Sequence, residues 1–403
     1  MREYGREKLA ASGEESSTRR AHAAYFLVLA EEVASDRAAA EQEELLDRCE
    51  IEHNNFRAAL EWLTENGDAD WGLRLGAALF RFWETREYFA EGRDWLGKLL
   101  QLGGAMAPTK LRARALFAAG ILGSGQGDYG SAESLIRESM EVARQLEDKH
   151  GIAVSLNALA VNARDRGEVA ASRSLSEQGL AVWREIGDSQ AVARSISNLA
   201  SVVKLQGDYA EARALYKECF SIFQRLDDRV GAAWSLNYEG DVAREQGDAT
   251  AARSLYEQSL AAFRELGDRW GTAGSLGDLG NLALDEKNYS AADSLYRESL
   301  RIFNELDHKR GIARLLECCA CSAAAQSEPQ RSLRLAGAAA ALRRTVGAPL
   351  KPTEQNKLEA SLELARQGLI SAASASAWLE GWATPIEKAI ETALTGNPAS
   401  PIS

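Results

Sequence analysis

Gly125-Gln126-Gly127-Asp128-Tyr129-Gly130 has the spacing of a dinucleotide-binding loop, in which glycines let the backbone approach a pyrophosphate. That chemistry needs a strand before the loop and a helix after it within a parallel sheet. Here a helical stretch precedes it, and Gly127 already serves as a turn, so no cofactor is expected. Cys318, Cys319 and Cys321 form the only cysteine cluster. On a helix the three point in different directions, whereas a structural zinc site wants four ligands, usually as two spaced pairs. Small packing residues are the simpler reading, and no metal is expected. His22, His53, His150 and His308 share no motif spacing with each other or with a nucleophile. No catalytic constellation is legible, so the chain is not expected to be an enzyme, although a site assembled from distant residues stays open.

Charge excludes more. Forty-seven basic residues against 59 acidic ones leave a net charge of −12, which opposes nonspecific phosphate binding. No direct contact with nucleic acid is expected. No apolar run approaches the roughly 18 residues that span a bilayer. The apolar stretch Ala21–Ala30 runs into Glu31-Glu32 without a cleavage site, so it reads as a packed helix rather than an export signal. Five cysteines are an odd number for a disulfide framework, and a cytoplasmic protein is expected.

The elements that would position any site announce themselves by a beat. Gly127-Asp128-Tyr129, Gly167-Glu168-Val169, Gly207-Asp208-Tyr209, Gly247-Asp248-Ala249 and Lys287-Asn288-Tyr289 follow one another at a single fixed spacing. A period of this size, about 40 residues, predicts stacked repeats that bury their core between neighbouring units. Between Pro108 and Pro329 no proline interrupts a stretch rich in Ala, Leu, Arg and Glu, which reads as successive helical pairs. In each pair Asp148, Asp188, Asp228 or Asp268, and His308 in the fifth, stands where it can cap the first helix. Pro108 falls on the same beat, where a helix start tolerates proline. Ile196, Leu199, Ala200 and Val203 share one face of the first helix, and Tyr209, Ala212, Tyr216, Phe220 and Phe223 share one face of the second. Gly120, Ala160, Ala200, Gly240 and Gly280 on first helices, and Ala132, Ala212, Ala252 and Ala292 on second helices, keep one place small in every unit, as close helix contact requires.

With Leu159-Ala160, Leu199-Ala200 and Leu279-Gly280 in first helices, and Gly207, Tyr209 and Ala212 around a turn, the pattern resembles the tetratricopeptide repeat over roughly residues 111–326. The units depart from the common 34-residue repeat by being about 40 residues long. The expected fold is therefore all-α, a tetratricopeptide-like helical-repeat superhelix with helical flanking modules. The organisation expected is a helical region with a degenerate repeat over 1–110, the repeats over 111–326, and a C-terminal helical module over 331–395. Helices are expected up to about Ala11, over Arg19–Val33 and over Glu43–Thr64, with a degenerate repeat over Trp71–Leu100. Ser327-Glu328-Pro329-Gln330 reads as a linker, helices follow at about Ser332–Val346, Thr353–Arg366 and Ala372–Glu380, and Thr384-Pro385-Ile386-Glu387 reads as a capping box before the last. A frayed tail is expected from Gly396.

Arg2-Glu3-Tyr4 with Leu9-Ala10-Ala11-Ser12-Gly13, and Glu52-His53-Asn54-Asn55-Phe56-Arg57-Ala58-Ala59-Leu60, are similar to segments of STAND-type bacterial signalling ATPases. Leu335-Ala336-Gly337-Ala338-Ala339 and Val346-Gly347-Ala348-Pro349-Leu350 resemble the C-terminal module of that group. In those regulators a P-loop ATPase and a winged helix precede a tetratricopeptide sensor arm. No Gly-x-x-x-x-Gly-Lys-Ser/Thr loop is present, so the resemblance implies the sensor arm alone, as a fragment or a stand-alone relative.

The tetratricopeptide resemblance further implies that first helices line a concave groove. Carried over by position, the groove residues are Phe117, Asn157, Arg164, Arg194, Ser197, Lys204, Trp234, Asn237, Asp241, Arg244 and Asn281. Asn157 and Asn237 are suited to clamp a peptide backbone, Arg164, Arg194, Lys204 and Arg244 to hold carboxylates, and Trp234 and Phe117 to act as anchors. The expected function is binding of a protein, a peptide or a small effector as the sensing or assembly arm of a bacterial regulator. A self-assembling scaffold, and hence a homo-oligomer, is the alternative.

Overall fold

A computed structural model describes residues 13–34 and 39–395. The helix expected to end near Ala11 and the tail from Gly396 lie outside the described residues. Among the described residues the chain is helical and contains no strand. It divides into two compact units, Met1–Ser155 and Leu156–Ser403.

The first unit contains α1 (Glu15–Ala34), α2 (Ala39–Ile51), α3 (His53–Glu65), α4 (Ala69–Thr85), α5 (Phe89–Leu100), a 3-10 turn at Gly103–Met106, α6 (Lys110–Gly125) and α7 (Tyr129–Gln145). Helix α8 (Lys149–Asp165) contains the boundary between the units. The single helix expected over Glu43–Thr64 is two, broken at Glu52, which leaves the helical region with φ −91° and ψ 5°. The break directs buried His53 to Glu91, at 2.9 Å, and packs Phe56 edge-on against Phe26.

The second unit continues with α9 (Val169–Ile186), α10 (Ser189–Leu205), α11 (Tyr209–Arg225), α12 (Arg229–Glu245), α13 (Ala249–Leu266), α14 (Arg269–Asp285), α15 (Tyr289–Glu305), α16 (Lys309–Ala325) and α17 (Pro329–Val346). Three further helices follow: α18 (Pro352–Gln367), α19 (Ser371–Ala383) and α20 (Ile386–Thr395). The helical pairs therefore extend beyond 326. Ser327-Glu328-Pro329 is not a linker but another tight turn, with Glu328 at the N-cap of α17 and proline at its first residue. The capping box expected at Thr384–Glu387 does not form: α20 starts one residue later, with the Pro385 carbonyl accepting from the Ala389 N–H at 3.1 Å, and the Thr384 hydroxyl donates to the Glu380 carbonyl at 2.6 Å.

A left-handed residue ends nearly every helix, at half the spacing of the beat in the sequence. Gly67, Glu87, Gly127, Glu147, Gly167, Gly187, Gly207, Asp227, Gly247, Gly267, Lys287, Asp307, Ser327 and Gly347 all have positive φ. At turns such as that before α12 the next residue serves two helices at once, whereas Tyr88, Glu168 and Glu328 close the preceding helix but make no side-chain cap. Asp228 donates its backbone N–H to the Phe223 carbonyl at 2.9 Å, closing α11, while its carboxylate accepts from the Gly231 N–H at 2.8 Å, opening α12. Asp148, Asp188 and Asp268 cap in the same way, and in His308 the ring Nδ1 accepts from the Gly311 N–H at 2.9 Å. Position 107 breaks the cadence. There the 3-10 turn leaves Ala107 extended at φ −65°, and Thr109 rather than Pro108 caps α6.

The repeated small residues sit where expected. Ala132, Ala212, Ala252 and Ala292 are fully buried. A β-carbon on Gly280 would lie 2.5 Å from the ring of buried Tyr296, and one on Gly240 would lie 2.7 Å from that of Tyr256. These tyrosines, with Tyr216, are among the largest fully buried side chains of the second unit.

The turn residues give a paired test. Lys287 adopts φ 61° and Gly207 φ 84°. Lys287→Gly is expected to raise unfolding stability by about 1 kcal/mol and Gly207→Ala to lower it by about 1–2 kcal/mol, as read by urea denaturation.

Candidate functional site

First helices of the second unit are tied to one another along one continuous strip. From α8, Arg164 donates to Ser201 of α10 at 3.2 Å and pairs with its neighbour Asp165 at 2.9 Å. From α10, Lys204 pairs with Asp241 at 3.5 Å and Glu245 at 3.6 Å, both on α12. From α12, Arg244 reaches Asp285 of α14 at 3.3 Å, and the Asn237 amide donates to Asp278 of α14 at 2.9 Å. Asp278 in turn accepts from Arg314 of α16 at 2.5 Å. Apart from Asp165, each partner stands one step along the repeat from the residue it holds.

This strip lies on the inside of a curve. Lys351, in the segment after α17, pairs with Asp165 of α8 at 3.1 Å, so the helices between them bend round until the two ends meet. Beyond Lys351, α18 packs against α16, where Cys321 holds the place that Asp241 holds on α12 and buried Leu358 and Leu362 join the same apolar cluster as Leu316 and Cys319. The far end of the strip is thereby covered by the protein's own chain.

Electrostatics follow from crowding. Burial holds the Asp241 carboxyl above its usual range, and the negative charge of Asp278 adds to this against the opposing pull of Lys204. The Tyr256 hydroxyl donates to Asp241 at 2.7 Å. Asp278, first among several causes, holds the Arg314 guanidinium above its usual range. On α14 the Asn281 carbonyl accepts from the Tyr296 hydroxyl at 2.9 Å and from the Cys318 thiol at 3.6 Å.

The residues expected from sequence divide sharply. Lys204, Asp241, Arg244 and Asn281 lie on the strip, half-buried, and Arg164 joins them. Asn237 is buried to 1% exposure and holds Asp278 on one side and the Ser275 hydroxyl, at 3.1 Å, on the other. It positions its neighbours instead of presenting an amide to a ligand. Asn157 likewise turns inward: its amide nitrogen donates to Ser195 at 2.8 Å, and a β-carbon on Gly179 would fall 2.5 Å from its oxygen. The expected row of free cations is not present, because Arg164, Lys204 and Arg244 each have an acidic partner. Arg194 is the exception, exposed and with no hydrogen bond or ion pair among the described residues. Ser197 is half-buried on the same helix. Phe117 belongs to the first unit, where its ring lies 6.3 Å from that of Phe80.

Trp234 is half-buried and heads an aromatic cluster, its ring 5.6 Å from Tyr238, 4.8 Å from Phe263 and 4.9 Å from Trp270. Gly274 makes room for it, since a β-carbon there would lie 3.1 Å from the indole. Sequence reasoning missed Trp270, Tyr238, Asp278 and Arg314. A search for opposite charges one repeat apart would have found the last two. The cysteines show no shared site: Cys319 is buried, which pushes its thiol up to about 12, and no group of His, Cys, Asp or Glu among the described residues is arranged to hold a metal. Nor is any described helix long and apolar enough to cross a membrane. Of the Gly125–Gly130 glycines, Gly125 ends α6, Gly127 makes the turn and Gly130 lies in α7, with Asp128 as N-cap.

Paired helices, small-residue contacts and a lined inner face define a tetratricopeptide-like helical-repeat protein. The profile of the tetratricopeptide repeat family matches residues 151–225, 189–265 and 229–305. Over 165 residues the chain is 29% identical to proteins named as candidate HTH-type transcriptional regulators in Mycobacterium tuberculosis (strain ATCC 25618 / H37Rv) and Mycobacterium bovis (strain ATCC BAA-935 / AF2122/97). That match covers 39% of this chain and 18% of each relative. Among solved structures, the apo form of RapI superposes with a TM-score of 0.51 at 15% identity, covering 63% of this chain and 91% of that one. The Rap conjugation gene regulator of plasmid pLS20, in complex with the Phr* peptide, gives 0.51 at 13% identity, covering 75% of each chain. At these identities the likeness is one of fold.

The division of labour among these residues can be measured. Asn237→Ala removes two buried hydrogen bonds and is expected to cost about 2–3 kcal/mol of stability. Arg194→Ala, at an exposed and partnerless site, is expected to change it by no more than about 0.5 kcal/mol in thermal or urea unfolding.

Proposed function

We propose that this chain is the sensing or assembly arm of a bacterial regulator and that it binds a peptide or protein partner along the inner strip of its second unit. The observation that carries the reading is the strip itself. First helices carry Trp234, Trp270 and Arg314 toward their N-terminal ends and Lys204 and Arg244 toward their C-terminal ends, with Trp270 48% exposed and the Arg314 side chain 45% exposed. The guanidinium groups tie neighbouring helices, but the exposed Trp270 indole makes no such tie and is of the kind of side chain that dominates binding hot spots. Sequence likeness to the mycobacterial regulators supports the regulatory part, and the peptide held by the pLS20 Rap protein is a precedent for the fold. The STAND-like segments extend the proposal to a partner or preceding module that carries the ATPase and the DNA-binding parts. In this arrangement the arm itself touches no nucleic acid, and its site is built for binding without catalysis.

Each repeat contacts chiefly its neighbours, so a ligand bridging several first helices would fix their relative angle. That gives a route from binding to a change in curvature felt at the ends of the arm.

Selection from a random peptide library displayed on phage tests the reading. Peptides selected on the intact chain are expected to lose at least tenfold in affinity for a Trp270→Ala variant whose helicity and melting are unchanged. Selected peptides that all bind the two proteins equally would remove the inner strip as the binding surface.

A further inference from the structure

Arg194 and the aromatic cluster occupy neighbouring stations of one row. Arg194, Trp234, Gly274 and Arg314 follow one another at the repeat spacing on α10, α12, α14 and α16. Arg314 is committed to Asp278, and Gly274 is the notch over which the Trp234 indole lies. Arg194 is committed to nothing among the described residues. Beside Trp234, Val230 is 42% exposed and Trp270 48% exposed, so the apolar surface continues to the rim of the strip. The acids that head these helices are occupied: Asp188 caps α10, and Asp228 caps α12 and accepts from the Gln190 amide at 3.1 Å.

We infer that this rim takes an extended peptide that lays an aromatic or aliphatic side chain against Trp234 and Trp270 and places a carboxylate on Arg194. The inference rests on the groove reading above and names the ligand class for it. Charge complementarity decides the carboxylate. Elsewhere along the strip the cations Arg164, Lys204, Arg244 and Arg314 already face carboxylates, so a ligand acid there would have to displace one. At Arg194 it would gain a charge-assisted, bidentate partner without breaking an existing pair. Shape decides the spacing. Neighbouring packed helices stand about 10 Å apart, and extended chain advances about 3.3 Å per residue, so anchor and acid belong about three residues apart. The rim is also the open end of the strip. Val230, Trp234 and Trp270 lie near the N-terminal ends of their helices, whereas the Lys351–Asp165 pair closes the strip at the C-terminal end of α8.

The test uses fluorescein-labelled, glycine-rich peptides carrying Phe and Asp two, three or four residues apart, with anisotropy read on the full chain and on Arg194→Glu and Trp270→Ala variants. At least one spacing is expected to bind, to weaken tenfold or more on Arg194→Glu, and to recover on that variant when its Asp is replaced by Lys. The Asp→Asn peptide is expected to be indifferent to Arg194→Glu. Absence of binding at every spacing, or equal binding to the intact chain and Arg194→Glu, would overturn the inference, as would a preference of the intact chain for the Lys peptide. Self-association abolished by Trp270→Ala would also overturn it, assigning the rim to a second copy. Library peptides that need Trp270 but ignore Arg194→Glu would leave the groove reading standing while this inference falls; absence of any Trp270-dependent peptide would remove both.

Discussion

Everything in this fold depends on a residue that must finish one helix and start the next. Asp228 and its equivalents close a left-handed turn with their N–H and cap the following helix with their side chain. With so short a turn between them, consecutive helices are forced antiparallel and side by side. Helices of equal length alternating with these turns make the even cadence seen through most of the chain. Two such steps return the chain to the same face, which is why the sequence repeats once for every pair of helices. A cap contributes only about 1 kcal/mol, but the same device recurs along the chain and fixes the register of every side chain on the inner strip.

Close approach is the second half of the same constraint. Helices joined by so short a turn must pack tightly: Gly120, Gly240 and Gly280 leave room for buried Ile136, Tyr256 and Tyr296, and Ala132, Ala212, Ala252 and Ala292 are themselves fully buried. These features were legible in the sequence because each is a local requirement repeated several times. Glycine at 127, 167, 207 and 247 marks a left-handed turn by its chemistry. Glu87, Glu147, Asp227, Lys287, Asp307 and Ser327 adopt the same conformation without advertising it, so the turn at Ser327 reads in sequence as a linker. The break at Glu52 was missed for a related reason, since no glycine or proline marks it.

The candidate site was legible in position but not in state. The shared register of Lys204, Asp241, Arg244 and Asn281 on first helices is visible in the sequence, but their partners are not. Whether a cation there is free depends on what the adjoining repeat offers, and Asp241, Asp285 and Asp278 answer that for Lys204, Arg244 and Arg314. Asn157 and Asn237 look like ligand clamps in sequence, but the curvature turns them into the contact between helices. Trp270 escaped notice because its equivalents, Gln190, Val230 and Arg310, share no chemistry with it. Among the described residues the strip is thus a largely self-neutralised surface, beside which Arg194 stands without a partner and Trp234 and Trp270 form an aromatic patch.

The most direct measurement compares two deletions in far-UV circular dichroism and urea unfolding. Removing residues 188–227 joins Gly187 to Asp228, takes out one complete helical pair and leaves every remaining helix with its former kind of neighbour. Removing residues 188–207 joins Gly187 to Asp208 through an equally good turn, but sets two second helices in succession and turns small-residue faces away from their partners. The longer deletion is expected to keep helicity per residue and a cooperative unfolding transition, and the shorter one to lose cooperativity. Retention of cooperative folding by the shorter deletion, or its loss in the longer one, would contradict the central claim that a two-helix cadence sets the register of this protein.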